Sequence, residues 1–322
     1  MADLSTMKSC STFRRSLLSL ARADYTPDPK TCSPFSDVEN DPMRSRRDLL
    51  TWLCVGSFGL SLFAATASAQ DKPLVPDKNL ETALKAELKK KAEEPLKEED
   101  LKNVFFLEAK KKEIADLTGL EKCPNLALIN LSGNKLVNLA PLAGLSNLQS
   151  LDLSKNQIVD IAPLAKLEKL QYLQLEENQI EKTDAVAGLV KLQALYLSKN
   201  KIASVEPLAK LEKLASLYLG NNLIEDIAHL KGLKWVNNLD LRGNKVKDLA
   251  PLAGFTELRF TFLAGNPIAD LAPLIAMAKA DTEGQQRFAP YWKLYLEEKD
   301  LSDAAKKQLE ELKKLGVRIN PK

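Results

Sequence analysis

Seven asparagines, Asn134, Asn156, Asn178, Asn200, Asn222, Asn244 and Asn266, stand 22 residues apart without a slip. A phrase repeated at one fixed period folds as stacked, equivalent coils, each burying its apolar face only against its neighbours. That arithmetic overrides the chain length. At 322 residues the sequence could hold two ordinary domains, but the period predicts one elongated body with capped ends.

Each asparagine closes the same pattern. Apolar residues lie eight, five and three positions before it and two after it, as in Leu148, Leu151, Leu153 and Ile158 around Asn156. An asparagine at the turn after a short strand can donate to and accept from backbone groups of its own and the adjacent coil, so the seven form a structural ladder. The expected fold is an α/β solenoid, a leucine-rich-repeat horseshoe with a parallel concave sheet, a helical N-terminal cap and a helical C-terminal cap. Lys112 takes the asparagine slot of a degenerate first repeat, with Val104, Leu107, Ala109, Ile114, Leu117 and Leu120 in the apolar slots. Seven to eight strands about 4.8 Å apart predict an inner sheet on the order of 35 Å long.

The phrase NQIVDIAPLAKL from Asn156 resembles the repeat class shared by bacterial internalins and the regulatory subunit of protein phosphatase 1. DKNLETALKAELKK from Asp77, LKEEDLKNV from Leu96 and ADLTGLEKCPNL from Ala115 resemble the helical cap that precedes internalin repeats. The resemblance runs from about Asp77 to Leu274. It implies the fold, whereas such repeats serve many partners. Nothing resembling an immunoglobulin-like module follows the repeats and no wall-sorting tail ends the chain, so adhesion to host cells is not carried over.

The organisation expected is a disordered or mis-started extension over 1–42, an export signal over 43–69, a linker and helical cap over 70–103, repeats over 104–274 and a capping region over 275–322. MRSRRDLLTWLCVGSFGLSLFAATASAQ from Met43 has a basic start, an uncharged apolar run and the small pair Ala67 and Ala69, the layout of a cleavable export signal. Ser45 to Leu50 resembles the twin-arginine motif. A general secretory signal with two arginines in its basic region is the alternative, and a retained leader would anchor the protein to a membrane. The expected location is periplasmic or extracellular.

Residues 1–69 hold 8 Lys/Arg and 7 Asp/Glu, so the remainder keeps 38 against 36. So even a balance points to no nucleic-acid partner. Cys10, Cys32 and Cys54 leave with the leader, and Cys123 alone cannot form an internal disulfide. It reads as a buried small residue beside Pro124.

Side chains alternate across a strand, so residues between the core leucines face the concave side. Six before each asparagine stand Leu128, Ser150, Tyr172, Ala194, Ser216, Asn238 and Phe260. Four before stand Asn130, Asp152, Gln174, Tyr196, Tyr218, Asp240 and Phe262. Tyr172, Gln174, Tyr196, Tyr218, Asp152, Asn238, Asp240, Phe260 and Phe262 are the candidate partner-binding residues, since aromatics beside polar groups on a rigid scaffold are common anchors. Phe260 and Phe262 have a second reading, as packing beneath the C-terminal cap. Trp235 reads as packed against a neighbouring turn, or else as an exposed contact at the solenoid edge.

No catalytic constellation emerges. A single histidine, His229, excludes histidine triads and multi-histidine metal sites, and no phosphate-binding loop, HExxH or paired CxxC occurs. Asp152 and Asp240 lie four repeats apart, roughly 19 Å at strand spacing and too far for a glycosidase pair. Asp160, Asp226, Asp248 and Asp270 with a following proline column read as caps of outer turns, so no metal or cofactor is expected. At the C-terminal end, Leu294, Leu296 and Leu301 repeat the strand spacing around Lys299. Ser302 starts a helix that Gly316 stops, VRI adds a final strand, and Tyr291 and Trp292 should cover the open end.

The function these features favour is non-enzymatic: an exported protein that docks a protein partner, unidentified by the sequence, through its concave face. The alternatives are binding of glycan or peptidoglycan by the same aromatics, and a phosphatase-regulatory type of scaffold.

Overall fold

The computed structural model describes residues 73–321. Residues Lys72–Lys322 form one compact unit. The extension and export signal expected before residue 70 lie outside the described residues. Ten parallel strands form one sheet in strict chain order. They are β1 (Phe106–Glu108), β2 (Leu128–Asn130), β3 (Ser150–Asp152), β4 (Tyr172–Gln174), β5 (Ala194–Tyr196), β6 (Ser216–Tyr218), β7 (Asn238–Asp240), β8 (Phe260–Phe262), β9 (Lys293–Tyr295) and β10 (Arg318–Ile319). The register from β1 to β8 follows the repeat, with Leu107 beside Ile129 and Leu151 beside Leu173. Short 3-10 turns such as Ala162–Lys166 return the chain along the outer side. The strand leucines join the turn leucines in a single core from Val75 to Val317. Ten strands span roughly 43 Å at the usual spacing, longer than the repeat count alone predicts.

The ladder asparagines are buried and saturated. Asn200 Oδ1 accepts from the Ile180 N–H of the preceding coil at 3.0 Å, while its Nδ2 donates to Leu175 O and to Leu197 O, each at 2.9 Å. Asn156, Asn178, Asn222, Asn244 and Asn266 repeat this arrangement. Asn134 serves the degenerate first coil by accepting from both Lys112 N and Ile114 N. Each asparagine thus ties two coils together and leaves no backbone group of the turn stranded in the core.

The turn has a cost written into the residue before each asparagine and before Lys112, which fills the asparagine slot of the first coil. Lys111, Gly133, Lys155, Glu177, Lys199, Asn221, Gly243 and Gly265 all adopt positive φ, between 51° and 72°. Glycine and asparagine suit that conformation; lysine and glutamate lose about 1–2 kcal/mol there.

Both ends of the core are covered. At the N-terminus, helix α1 (Lys78–Glu87) buries Leu80 and Leu84 and the one-turn α2 (Glu98–Leu101) buries Leu101. Asp77 fastens this cap. Its Oδ1 accepts from Asn79 N and Leu80 N, and its Oδ2 from Ala115 N and Asp116 N of the first repeat. Burial pushes the Asp77 carboxyl up, but the four amide donors together hold it below its ordinary value.

At the other end, α3 (Ala272–Glu283) replaces an outer 3-10 turn. β9 then pairs with β8 at an offset of 33 residues, Thr261 beside Leu294. Trp292 is fully buried, and its Nε1 donates to the buried Thr261 hydroxyl at 2.8 Å. Helix α4 (Asp303–Lys314) starts at Ser302, which accepts from Ala305 N, and buries Ala305, Leu309 and Leu312. Tyr291 departs from expectation. It is 54% exposed with the Arg259 guanidinium over its ring, because Trp292 alone fills the space over Thr261. Elsewhere a strand carbonyl accepts from the residue after each strand, as Tyr295 O does from Leu263 N; for Leu296 N, Asn320 Oδ1 takes that place at 3.0 Å.

Two outcomes test this account. Lys155→Gly and Lys199→Gly should each stabilise the protein by about 1 kcal/mol in urea unfolding, the relief of left-handed strain exceeding the added chain entropy. Deleting residues 288–322 should make the protein aggregate, since Thr261, Leu263 and Leu274 lose their cover; a soluble, cooperatively melting truncation would refute the cap assignment.

Candidate functional site

Strand alternation continues one step beyond the two columns expected. Two before each asparagine, Ser132, Ser154, Glu176, Ser198, Gly220, Arg242 and Ala264 form a third concave column. Ser154 Oγ donates to Asp152 Oδ1 at 2.7 Å, and Arg242 grips Asp240 through Nε at 3.0 Å and Nη2 at 2.8 Å. The third column therefore shares a face with the second. The same period of two that marked the others could have found it.

The face packs against itself. Tyr196 and Tyr218, in one column on adjacent strands, stack at 4.8 Å with a 10° interplanar angle, and Tyr172 tilts against Tyr196 at 5.3 Å. The Gln174 carboxamide bridges Tyr172 and Asp152. In the orientation that satisfies both ends, its oxygen accepts from Tyr172 Oη at 2.7 Å and its nitrogen donates to Asp152 Oδ2 at 2.9 Å. Beyond Asp240, the Arg242 guanidinium lies 4.8 Å from the Phe262 ring centroid, and Phe262 stacks on Tyr295 of β9 at 4.5 Å. Lys293 sits over Phe260. Both phenylalanines thus pack against the first strand of the C-terminal cap region. Asn238 Nδ2 donates to Ser216 Oγ at 3.2 Å.

This self-packing corrects the picture of freely exposed anchors. Tyr218 is 7% exposed and Asp240 only 2%, and Phe262 is also buried. Parallel strands hold in-register side chains at the separation aromatic rings favour, so adjacent rings shield one another. Tyr172, Gln174, Tyr196, Asp152, Asn238 and Phe260 remain half-buried and present edges and polar atoms.

Glu176 is the electrostatic outlier. Burial first, and then the negative charges of Asp240, Glu177 and Asp152, push its carboxyl up to about 7, with Lys199 pulling the other way. Burial likewise raises Glu108 at the N-terminal end of the face, and the hydroxyls of Tyr172, Tyr196 and Tyr218.

The outer columns act as caps. Asp160, Asp226, Asp248 and Asp270 each accept from the amide two residues on, at 2.7–2.8 Å. His229 is exposed in an outer turn. Trp235 was expected to pack against a neighbouring turn, yet it is 61% exposed, because the apolar slot beside it is filled by the buried Val236. Cys123 is buried, and burial pushes its thiol up to about 12. Among the described residues no group of three or more His, Cys, Asp or Glu could hold a metal ion, and no helix is long and apolar enough to cross a membrane.

Comparison with known proteins agrees with this architecture. A family model described as leucine-rich repeats (2 copies) matches residues 146–188 and 190–232. The crystal structure of internalin C2 from Listeria monocytogenes is 32% identical over 64% of this chain and 93% of its own length, with a TM-score of 0.60. The chain belongs to the internalin-like leucine-rich-repeat family. A leucine-rich-repeat protein from Leptospira interrogans shares the fold at 20% identity, over 64% of this chain and 57% of that one, with a TM-score of 0.55. A search of curated proteins gave no match. Internalin-like repeats form a fold that generally mediates protein–protein interaction and typically serves as a non-enzymatic scaffold.

The Glu176 environment sets a pH dependence. A carboxyl raised on folding holds its proton in the folded state after the unfolded chain has released it, so stability falls as pH climbs from about 4.5 to about 7. Glu176→Gln should therefore raise stability by about 1–3 kcal/mol at pH 8 and leave it nearly unchanged at about pH 4, below the unfolded carboxyl's range, read as paired thermal melts.

Proposed function

We propose that this internalin-like protein is exported and docks another protein, in the bacterial envelope or outside the cell, through its concave face. The observation that carries the reading is the row of side chains from Tyr172 through Tyr196 and Tyr218. Stacking and hydrogen bonds hold these rings in place, so little side-chain entropy is lost when a partner arrives. A ten-stranded sheet is long enough for an interface of standard size. The leader over 43–69 supports export and a periplasmic or extracellular location.

Sugar stacking by the same aromatics is the weaker reading. A ring that binds a pyranose needs an open face, and Tyr196 and Tyr218 turn faces toward each other. A phosphatase-regulatory role rests on the repeat class alone and sits poorly with an export signal.

The test is affinity capture from envelope extract with residues 70–322 as bait, beside a bait carrying Tyr172→Ala, Tyr196→Ala and Tyr218→Ala and a control carrying Trp235→Ala. All three baits are first checked by circular dichroism for native melting. A protein held by the first and third and lost by the second is the expected result; retention by all three would place the partner elsewhere.

A further inference from the structure

The concave face is unevenly charged. From β3 to β6 its three columns carry Asp152 and Glu176 and no lysine or arginine. Asp152 is occupied, by Ser154 and Gln174. Asp240, at the next strand, is gripped by Arg242. The Glu176 carboxylate, among the described residues, has neither a hydrogen bond nor an ion pair, and Lys199, which pulls its carboxyl down, is paired with Glu177 at 3.0 Å.

A second, independent feature lies beside it. Ser132 and Ser154 each donate their hydroxyl to the polar residue two positions earlier, Asn130 and Asp152. In the next-but-one coil that residue is Tyr196, and the Ser198 hydroxyl is buried with no partner, in a residue only 9% exposed. A buried hydroxyl left unpaired costs about 1–3 kcal/mol. By register Ser198 adjoins Glu176 in the same column, and the column continues into Gly220. The Asp240 carboxylate occupies the space over that glycine, its two oxygens 3.0 Å from where a Cβ would stand. Glu176 and Ser198 therefore stand side by side, with the stacked Tyr196 and Tyr218 rings in the adjoining column.

We propose that this patch receives a lysine or arginine side chain of a protein partner, with Glu176 as its counter-charge and the half-buried Tyr196 beside its alkyl stem. Charge complementarity selects the occupant. The columns from β3 to β6 hold no lysine or arginine, while the Glu176 carboxylate and the Ser198 hydroxyl both lack partners. Seating a basic head group completes both, because the carboxylate gains a donor and the serine hydroxyl gains a polar neighbour. The Tyr196 ring edge adds contacts to the methylenes of the basic side chain. The inference rests on the concave face being the docking surface, and it adds the chemistry of what docks.

Binding is then pH-dependent. Glu176 faces Asp152, Glu177 and Asp240, which oppose its ionisation, Lys199, which favours it, and the Tyr172, Tyr196 and Tyr218 hydroxyls, which stay neutral in this range. Protonated Glu176 offers no counter-charge, so affinity for a basic side chain falls as pH drops below about 7.

The probe is an acetylated, amidated glycine pentapeptide with lysine at its centre, titrated into nitrogen-labelled residues 70–322 and followed by NMR, with arginine and norleucine counterparts. The expected result is that lysine and arginine peptides move the amides of Glu176, Ser198 and Gly220, about tenfold more tightly at pH 8 than at pH 6. Norleucine leaves those amides still, and Glu176→Gln, which retains the fold, abolishes the response. Equal shifts with norleucine, a pH-independent response, an unchanged Glu176→Gln response, or no shift at millimolar peptide would each overturn the proposal. Failure of the broader reading looks different: the captured partner is then kept by the tyrosine variants as well. A captured partner lost by the tyrosine variants but kept by Glu176→Gln at either pH leaves the docking face standing and removes only the basic anchor.

Discussion

The bond between an asparagine side chain and the backbone of the preceding coil governs this molecule. One carboxamide satisfies an amide and a carbonyl in the coil before it and a further carbonyl in its own, as Asn200 does for Ile180, Leu175 and Leu197. Such groups, buried and unpaired, would each cost about 1–3 kcal/mol. The geometry works only when both coils have the same length and present the same turn. The 22-residue period, the left-handed residue before each asparagine and the in-register strands all follow from that requirement. So does the surface, because fixed register places every second strand residue directly beside its counterpart one coil away.

That alignment explains how the concave face behaves. Variable residues at equivalent positions are brought together in rows, and neighbours in a row satisfy one another. Tyr196 finds Tyr218 and Phe262 finds Tyr295, while Asp240 is paired within its own coil by Arg242. Where the row offers no complement, a group is left wanting, as with Glu176 and Ser198. The face is accordingly a lattice of completed pairs with a localised gap, and the gap carries the chemical information.

Much of this was legible in the residues. The period specified a parallel sheet in chain order, and the offset of Leu294 and Leu296 from the last repeat foretold β9. Ser302 and Gly316 marked the bounds of α4. The concave columns at Tyr172 and Tyr196 followed from alternation. What escaped the reading depended on neighbours three-dimensional in kind. The burial of Tyr218 arises from Tyr196 one coil away, and that of Asp240 from the folded-back Arg242 two residues on. Trp235 is exposed because Val236 occupies the core slot beside it. The column holding Glu176 was open to the same alternation, but its raised carboxyl reflects burial first and then Asp240, Glu177 and Asp152, an environment complete only once the coils are stacked.

The Asn320 side chain that stands in for a strand carbonyl has a consequence for assembly. Parallel sheets of this kind have open ends, and an unpaired row of donors and acceptors can recruit the matching strand of another molecule and grow into a filament. β10 is only two residues long, and beside it the donor of Leu296 is consumed by a side chain rather than by a further strand. A second copy arriving at that edge finds no continuous template. The feature that closes the backbone ladder thereby also shortens the edge that a second copy could extend.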